Sequence, residues 1–216
     1  MIIAPSVLSF HFDKFKEEID ILNKKAEFLH FDVMDGHFVP NLTFGPDVLK
    51  AFRRSSNLFM DVHLMVEDPD YFSDIFIKAG ADGITFHYES FDDIIKCDLL
   101  IDKIHKKYIK AGISVRPNTD IEVIKPLLDK IDIVLVMSVE PGFGGQEFIQ
   151  STYDKLQFLD QYRKEHDLKY LIEVDGGVND KNAHEIIQSG TDILVAGSYV
   201  FKGDINNNLD TLRKCK

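Results

Sequence analysis

The chain has 216 residues, 44% hydrophobic and 28% charged, so it can bury a large core without disulfide bonds. Its formal net charge of −11 argues against a nucleic-acid partner, which needs a basic surface. No apolar segment approaches the roughly 18 residues of a transmembrane helix, and the first residues lack a signal-peptide pattern. The two cysteines, Cys97 and Cys215, have no paired spacing. We therefore expect a cytoplasmic protein that does not bind membranes.

Short segments rich in valine, isoleucine and phenylalanine recur along the chain and predict buried parallel strands. Amphipathic segments between them predict helices, among them Phe15–Lys25, Pro69–Ala79 and residues 182–189. For the last of these we expect Asp180 as the N-terminal cap and Gly190 just past the end. The predicted strands are residues 2–8, 28–33, 59–64, 83–87, 112–115, 133–137, 170–174 and 193–196.

Strict alternation of strands and helices predicts a parallel sheet, and eight strands favour closure into a (β/α)8 TIM barrel. The alternative, an open doubly wound sheet, would more often have about five to seven strands and a GxGxxG turn after the first. The sequence has no such turn. Because the eight units leave no linker or low-complexity segment, we expect one barrel domain over residues 1–216.

Charged side chains lie where several predicted strands end. His30 and Asp32 are two residues apart and so face the same side of a strand, while His63 and Asp175 lie near the ends of the third and seventh strands. In a barrel these ends meet at one active-site face. A buried hydrogen-bonded cluster is the structural alternative, since inward charges must be paired or bound to metal. Two imidazoles and two carboxylates suit a divalent metal; zinc is favoured, with Fe(II), manganese and cobalt left open.

Two further pairs show the same alternation. Asp61 and Glu173 are predicted to face inward, either as hydrogen-bond partners of the ligating imidazoles or as ordinary packing residues of the barrel. His87 and Glu89 repeat the His-x-acid pattern on the fourth strand. For this second pair we favour a structural or peripheral role.

Glycine clusters follow three consecutive predicted strands, the sixth, seventh and eighth. Glycine lets the backbone approach a ligand and direct N–H groups at it, so three clusters at one barrel face predict a phosphate site. The first cluster is also predicted to form a lid, with a plain flexible turn as the alternative. The predicted phosphate residues are Gly142, Phe143, Gly144, Gly145, Gly176, Gly177, Gly197 and Ser198.

Three methionines, Met34, Met65 and Met137, fall at or just beyond inward-facing strand ends. Methionine is usually core filler, and that interpretation accounts for each one separately. Together they could form an apolar, polarisable wall around a reaction intermediate.

Several longer segments match the sequence motifs of a known family. They are APSVLS at residues 4–9, HFDVMDG at 30–36, FVPN at 38–41, DVHLM at 61–65, MSV at 137–139, PGFGGQ at 141–146, EVDGGV at 173–178 and AGS at 196–198. Nearly from end to end, the chain closely resembles the ribulose-phosphate 3-epimerase family.

The resemblance implies interconversion of D-ribulose 5-phosphate and D-xylulose 5-phosphate in the pentose phosphate pathway, with one divalent metal per subunit and a homo-oligomeric assembly. It implies that His30, Asp32, His63 and Asp175 bind the metal and that Asp32 and Asp175 are also the two acid/base groups. It further implies that Ser6 and His63 contact the sugar phosphate and that the glycine clusters surround its phosphate end.

Two positions depart from the family pattern. Arg116-Pro117 stands where Asn-Pro is usual, and Glu140 stands where asparagine is usual. We hypothesise an ion pair between Arg116 and Glu140. The related allulose-6-phosphate 3-epimerases remain an alternative, although GFGG and DGGV here look more like the ribulose-phosphate enzymes.

Two other function classes remain open. Related sugar-phosphate decarboxylases place a lysine beside acidic strand ends, and no lysine occurs in residues 30–35, 61–65 or 173–178. A non-catalytic sugar-phosphate sensor would not need both carboxylates. Both classes are therefore disfavoured.

Overall fold

Eight parallel strands form one sheet, in the order β1-β8-β7-β6-β5-β4-β3-β2, in the computed structural model, which describes residues 1–215. A parallel bridge between Ser6 and His30 joins the two outer strands and nearly closes the sheet into the predicted barrel. The (β/α)8 fold class is thus confirmed. The strands are β1 (Ile2–Pro5), β2 (Phe28–Met34), β3 (Phe59–Met65), β4 (Gly83–His87), β5 (Lys110–Val115), β6 (Ile133–Met137), β7 (Leu171–Asp175) and β8 (Ile193–Ala196).

Helices follow the strands and contribute apolar side chains to one large buried cluster, in which Leu22, Leu49 and Phe52 accompany Phe31 and Val33 of β2. Within residues 1–215, no helix is long and apolar enough to cross a membrane. The helices are α1 (Phe15–Lys25), α2 (Pro46–Ser55), α3 (Pro69–Ala79), α4 (Ile94–His105), α5 (Thr152–Glu165), α6 (Ala183–Gln188), α7 (Ser198–Phe201) and α8 (Ile205–Lys214).

Strand alternation divides the barrel interior into two regions. Near the amino ends of the strands, Ile133 and Ile193 belong to a small apolar cluster against which Phe28 and Leu171 pack. Towards the carboxyl ends the inward positions include the buried polar side chains of His30, Asp32, Asp61 and His63. The polar region therefore lies at the face where barrel enzymes place their active sites.

The first strand is shorter than predicted. It ends at Pro5 instead of residue 8, and a 3₁₀ helix (Val7–Ser9) follows. Proline lacks the N–H group that would continue the strand ladder, and the Ser6 hydroxyl accepts a hydrogen bond from the N–H of Leu8. This turn brings Ser6 to the mouth of the barrel.

The predicted cap at Asp180 is wrong. Helix α6 begins at Ala183 after Asn182, and no side chain caps it. The Asn182 amide oxygen instead accepts a hydrogen bond from the N–H of Asn179. Gly190 does lie just past the helix, with a φ of 102° in the left-handed region.

The connection between β5 and β6 contains a 3₁₀ helix (Ile121–Leu127) in place of an α-helix. Pro126 lies within it, and a proline inside a helix removes a backbone donor and clashes with the preceding turn. The alternation of strand and helix is therefore weakest at this point of the barrel.

Gly112 on β5 gives a direct test of interior packing. A Cβ at this position would lie 3.0 Å from the Thr85 Cβ and even closer to its hydroxyl. We expect Gly112→Ala to lower the free energy of unfolding by about 1–3 kcal/mol through overpacking. Adding Thr85→Ala should restore part of the loss, because the buried Thr85 hydroxyl has no hydrogen-bond partner to lose. Urea-induced unfolding measures the stability of the single and the double variant. Equal stability of Gly112→Ala and the wild type would contradict close packing between Gly112 and Thr85.

Candidate active site

A cleft opens at the carboxyl ends of the strands, the face where barrel enzymes place their active sites. His30 and His63 are fully buried and do not line the cleft. The predicted site residues that line it are Ser6, Asp32, Met34, Met65, Met137, Gly142, Phe143, Gly144, Gly145, Asp175, Gly176, Gly177, Gly197 and Ser198.

The four predicted metal ligands converge on one point. Each of His30, Asp32, His63 and Asp175 offers an atom that lies within 4.8 Å of those of the other three. His30 Nε2 is 3.4 Å from Asp32 Oδ1 and 4.0 Å from Asp175 Oδ2, and His63 Nδ1 is 3.2 Å from Asp32 Oδ1. Strand register explains the pairing, since Asp32 lies directly opposite His63. The buried cluster could hold a metal ion.

Asp61 orients the ring of His30 through a hydrogen bond on the side away from the other proposed ligands. The His30 Nδ1–H donates to Asp61 Oδ2 at 2.6 Å, which leaves Nε2 facing the other ligands. His30 Nε2 is buried without a hydrogen-bond partner. Buried polar atoms are rarely left in this state, so an unpartnered ring nitrogen among carboxylates fits a divalent cation. Of the two roles left open for Asp61, the structure supports the hydrogen-bond partner.

Glu173 lies beside this pair, with Oε1 3.5 Å from His30 Nδ1. Burial and the nearby charge of Asp61 raise the pKa of Glu173 well above its ordinary value. These surroundings therefore favour the protonated form of the Glu173 carboxyl group.

The two carboxylates of the cluster differ in protonation. Burial favours the protonated form of Asp32, but the charge of His30 holds the pKa of this carboxyl well below its usual range. Burial, together with the charge of Asp32, raises the pKa of Asp175 to about 7. One carboxylate is thus ionised while the other can carry a proton near neutral pH, a division typical of acid/base pairs.

The histidines respond oppositely to the same surroundings. Burial opposes protonation of His30, yet the charges of Asp32 and Asp61 raise its pKa well above the usual value. Burial lowers the pKa of His63 to about 4, so this ring is neutral at pH 7. A neutral imidazole is the form that binds a metal.

We expected a structural or peripheral role for His87, but it lies next to a proposed metal ligand. It is fully buried, and its Nε2 lies 2.9 Å from Nε2 of His63. Its Nδ1 lies 3.1 Å from Glu89 Oε2. The sequence indicated a role for His87 only through its His-x-acid spacing, which repeats that of His30 and Asp32. The contact between His87 and His63 is visible only in the folded barrel.

The hypothesised ion pair between Arg116 and Glu140 is wrong: within residues 1–215 the two side chains have other partners. The Arg116 guanidinium lies 4.2 Å from the centroid of the Phe38 ring and donates to the Phe38 carbonyl at 3.1 Å. The Asn118 amide donates to Glu140 Oε1 at 3.3 Å. The cation–π contact with Phe38 draws the arginine away from Glu140.

The glycine-rich turns include backbone geometry that other residues rarely adopt. Gly176 and Gly177 have φ values of 123° and 65°. A Cβ on Gly177 would lie 2.6 Å from the backbone nitrogen of Phe148. Two amides hold the first turn: Asn41 donates to the carbonyl of Gly142 at 2.8 Å, and Gln146 donates to those of Glu140 and Phe143.

Asp175 predicts a pH dependence of stability in the metal-free protein. Its pKa is about 7 in the folded chain and about 3.9 in an unfolded one, so the folded state binds more protons between these values. Its contribution to the free energy of unfolding therefore falls as pH rises from about 4 to about 7.

We expect the stability of the wild type relative to Asp175→Asn to fall by about 2–4 kcal/mol across that window. Urea-induced unfolding of the two chelator-treated proteins at several pH values measures this difference. A difference that does not vary with pH would show that Asp175 titrates normally.

Comparisons with known proteins agree with this geometry. The sequence profile of the "Ribulose-phosphate 3 epimerase family" matches residues 2–201. A "Ribulose-phosphate 3-epimerase" of Bacillus subtilis (strain 168) is 44% identical over 201 residues, which are 92% of this chain and 91% of that protein. A "Ribulose-5-phosphate-3-epimerase, chloroplastic" of Arabidopsis thaliana is 43% identical over 202 residues, 93% of this chain and 72% of that protein.

Solved structures agree on the fold alone. A 3-keto-L-gulonate-6-phosphate decarboxylase from Vibrio cholerae superposes with a TM-score of 0.75 at 15% identity, over 99% of this chain and 96% of that one. A 3-hexulose-6-phosphate synthase superposes with a TM-score of 0.72, also at 15% identity, over 100% of this chain and 99% of that one. The family profile and the curated relatives are the decisive comparisons, and they show that the chain belongs to the ribulose-phosphate 3-epimerase family.

Proposed function

We propose that this protein catalyses the metal-dependent epimerisation of D-ribulose 5-phosphate at C3 to D-xylulose 5-phosphate, a reaction of the pentose phosphate pathway. The observation that carries the proposal is the pair of carboxylates, Asp32 and Asp175. They reach one cluster from β2 and β7 and differ in protonation. The curated relatives at 41–44% identity bear the name of this activity.

The two carboxylates supply the proton transfers. C3 lies next to the ketone, so its proton can be removed to give an enediolate. One of Asp32 and Asp175 accepts that proton, and the other, in its protonated form, returns a proton to the opposite face of C3. The configuration at C3 is thereby inverted, and the two carboxylates end with exchanged protonation states.

We propose His30, Asp32, His63 and Asp175 as the ligands of one divalent metal per subunit. The unpartnered His30 Nε2, the neutral His63 ring and the two carboxylates form a donor set of nitrogen and oxygen. A bound ion would act as a Lewis acid that stabilises negative charge on the substrate oxygens. Zinc is favoured; Fe(II), manganese and cobalt accept the same ligands.

We propose that the glycine turns bind the phosphate group through their backbone N–H groups. The overall charge of −11 does not attract an anion, so local donors must hold it. Ser6 and His63 are proposed to contact the sugar; the Ser6 hydroxyl donates to Asp32 Oδ2 at 2.6 Å. The residues proposed around the phosphate are Gly142, Phe143, Gly144, Gly145, Gly176, Gly177, Gly197 and Ser198.

The apolar side of the cleft is formed by Met34, Met65 and Met137, all at most 3% exposed. We propose that they pack against the planar enediolate and keep water away from it. A water-poor pocket strengthens the electrostatic stabilisation of the developing charge.

We further propose one barrel domain over the whole chain, a cytoplasmic location and a homo-oligomer. Cys97 and Cys215 are both free, as is usual in a reducing compartment. Ile95 and Leu99, one turn apart on α4, are 72% and 63% exposed, which supports a contact between copies.

A coupled assay tests the function. We expect turnover of D-ribulose 5-phosphate by metal-replete protein, much weaker turnover of D-allulose 6-phosphate, and loss of both after chelation. Asp175→Asn should lower the rate by about 10²–10⁴, because it removes one acid/base group. Preference for the hexose phosphate would keep the mechanism and change the substrate. No turnover of either would favour a sensor or a lyase, and near-wild-type activity of Asp175→Asn would exclude two-base transfer.

Gly197 tests the phosphate site. A Cβ there would lie 2.8 Å from Ser9 Oγ, so the Ser9 hydroxyl would have to shift, and it would contact Ser6 Cβ at 3.4 Å. We expect Gly197→Ala to raise KM about tenfold, or about 1.4 kcal/mol of binding free energy, with a smaller change in kcat. Gly45→Ala is the matched control, because a Cβ there meets nothing within 4 Å. Equal KM values for the two variants would place the phosphate elsewhere.

A further inference from the structure

Two buried histidines and a partly buried glutamate form a hydrogen-bonded row that begins at a proposed metal ligand and leads away from the cleft. His63 Nε2 is 2.9 Å from His87 Nε2, and His87 Nδ1 is 3.1 Å from Glu89 Oε2. Glu89 is fixed at the far end, because its Oε1 accepts from the backbone N–H of Arg116 at 2.7 Å and from the Thr119 hydroxyl at 2.5 Å.

Counting donors and acceptors gives the row a direction. An ionised carboxylate can only accept, so the Nδ1 of His87 must donate to Glu89. A neutral His87 then has a lone pair on Nε2, and this lone pair can accept only if His63 Nε2 carries a hydrogen. A neutral His63 that is protonated on Nε2 has its free lone pair on Nδ1, the atom that faces Asp32.

The reverse direction is incompatible with a metal. If His87 donated from Nε2, His63 Nε2 would have to accept, and the proton of His63 would lie on Nδ1. That proton would occupy the atom that lies among the other proposed ligands. Only one direction of the row therefore leaves His63 able to bind a cation.

We propose that His87, supported by Glu89, is a positioning residue that holds His63 in the tautomer whose Nδ1 lone pair points into the metal site. This inference rests on the proposed metal-dependent function. Asp61 orients His30 through Nδ1 and leaves Nε2 for the metal. His87 would orient His63 through Nε2 and leave Nδ1 for the metal.

The row also ties the metal site to the loop after β5. Besides its two bonds to Glu89, this loop is held by Lys155, whose Nζ donates to the carbonyls of Arg116, Pro117 and Thr119 at 2.6–2.9 Å. On its other side, the ring of His87 packs against Phe38, with centroids 4.9 Å apart. His87 is therefore held on both sides, as an orienting group must be.

Two substitutions separate the hydrogen bond from the packing of the ring. His87→Asn removes the acceptor at the Nε2 position, whereas glutamine can place its amide oxygen near that position. His105→Asn is the matched control: His105 also bonds to a carboxylate, Asp132, at 2.8 Å, but it lies at the end of α4 away from the cleft.

The first measurement is the Kd for Zn²⁺, obtained by competition with a chromophoric chelator. We expect His87→Asn to raise the Kd by about 10–100-fold, as is typical when the partner of a ligating histidine is lost. His87→Gln should raise the Kd much less, and the Kd of His105→Asn should equal that of the wild type. A Kd for His87→Asn equal to that of His105→Asn overturns the proposal, as do equal losses in the asparagine and glutamine variants.

The second measurement is nitrogen-15 NMR of the histidine rings in zinc-loaded wild-type protein at neutral pH, which decides the question even if His87→Asn fails to fold. We expect His63 to be protonated on Nε2, and His87 to be protonated on Nδ1 and bare on Nε2; the opposite tautomer of His87 overturns the proposal. Turnover separates the two claims. Wild-type protein that binds zinc through this row but does not turn over D-ribulose 5-phosphate would refute the proposed function alone.

Discussion

The structure depends on the burial of opposite charges at one level inside the barrel. His30, Asp32 and His63 are at most 3% exposed, and each would be costly to bury alone. They are tolerated because imidazole nitrogens and carboxylate oxygens lie 3.2–3.4 Å apart across neighbouring strands. Asp61 bonds to the ring of His30, and burial and the charge of Asp61 favour the protonated form of Glu173.

The barrel architecture makes this arrangement feasible. Its amino end contains apolar side chains, among them Ile133 and Ile193, and its carboxyl end opens into the cleft. Side chains from β2 and β7, which are not neighbours in the sheet, can therefore approach one reacting carbon from opposite sides. We propose Asp32 and Asp175 for those positions; burial raises the pKa of Asp175, whereas the charge of His30 lowers the pKa of Asp32.

Much of the fold and of the site follows from local pattern. Strand positions and the convergence of the four ligands were predictable, because strand alternation and the closure of a barrel decide them without knowledge of side-chain contacts. The errors concern choices between competing partners. Asn182 displaces Asp180 at the start of α6, and Phe38 draws Arg116 away from Glu140. The contact of His87 with His63 depends on how β3 and β4 pair, which spacing within one strand does not reveal.

The central claim is that one divalent ion binds between β2, β3 and β7. Crystals soaked in a cobalt or zinc salt, with diffraction recorded at the absorption edge of that metal, test it most directly. The account predicts a single anomalous peak within coordination distance of His30 Nε2, His63 Nδ1, Asp32 and Asp175. A peak in the neighbouring group of His30, Asp61 and Glu173, which also brings three donors together, would contradict it. So would the lack of any peak in the barrel.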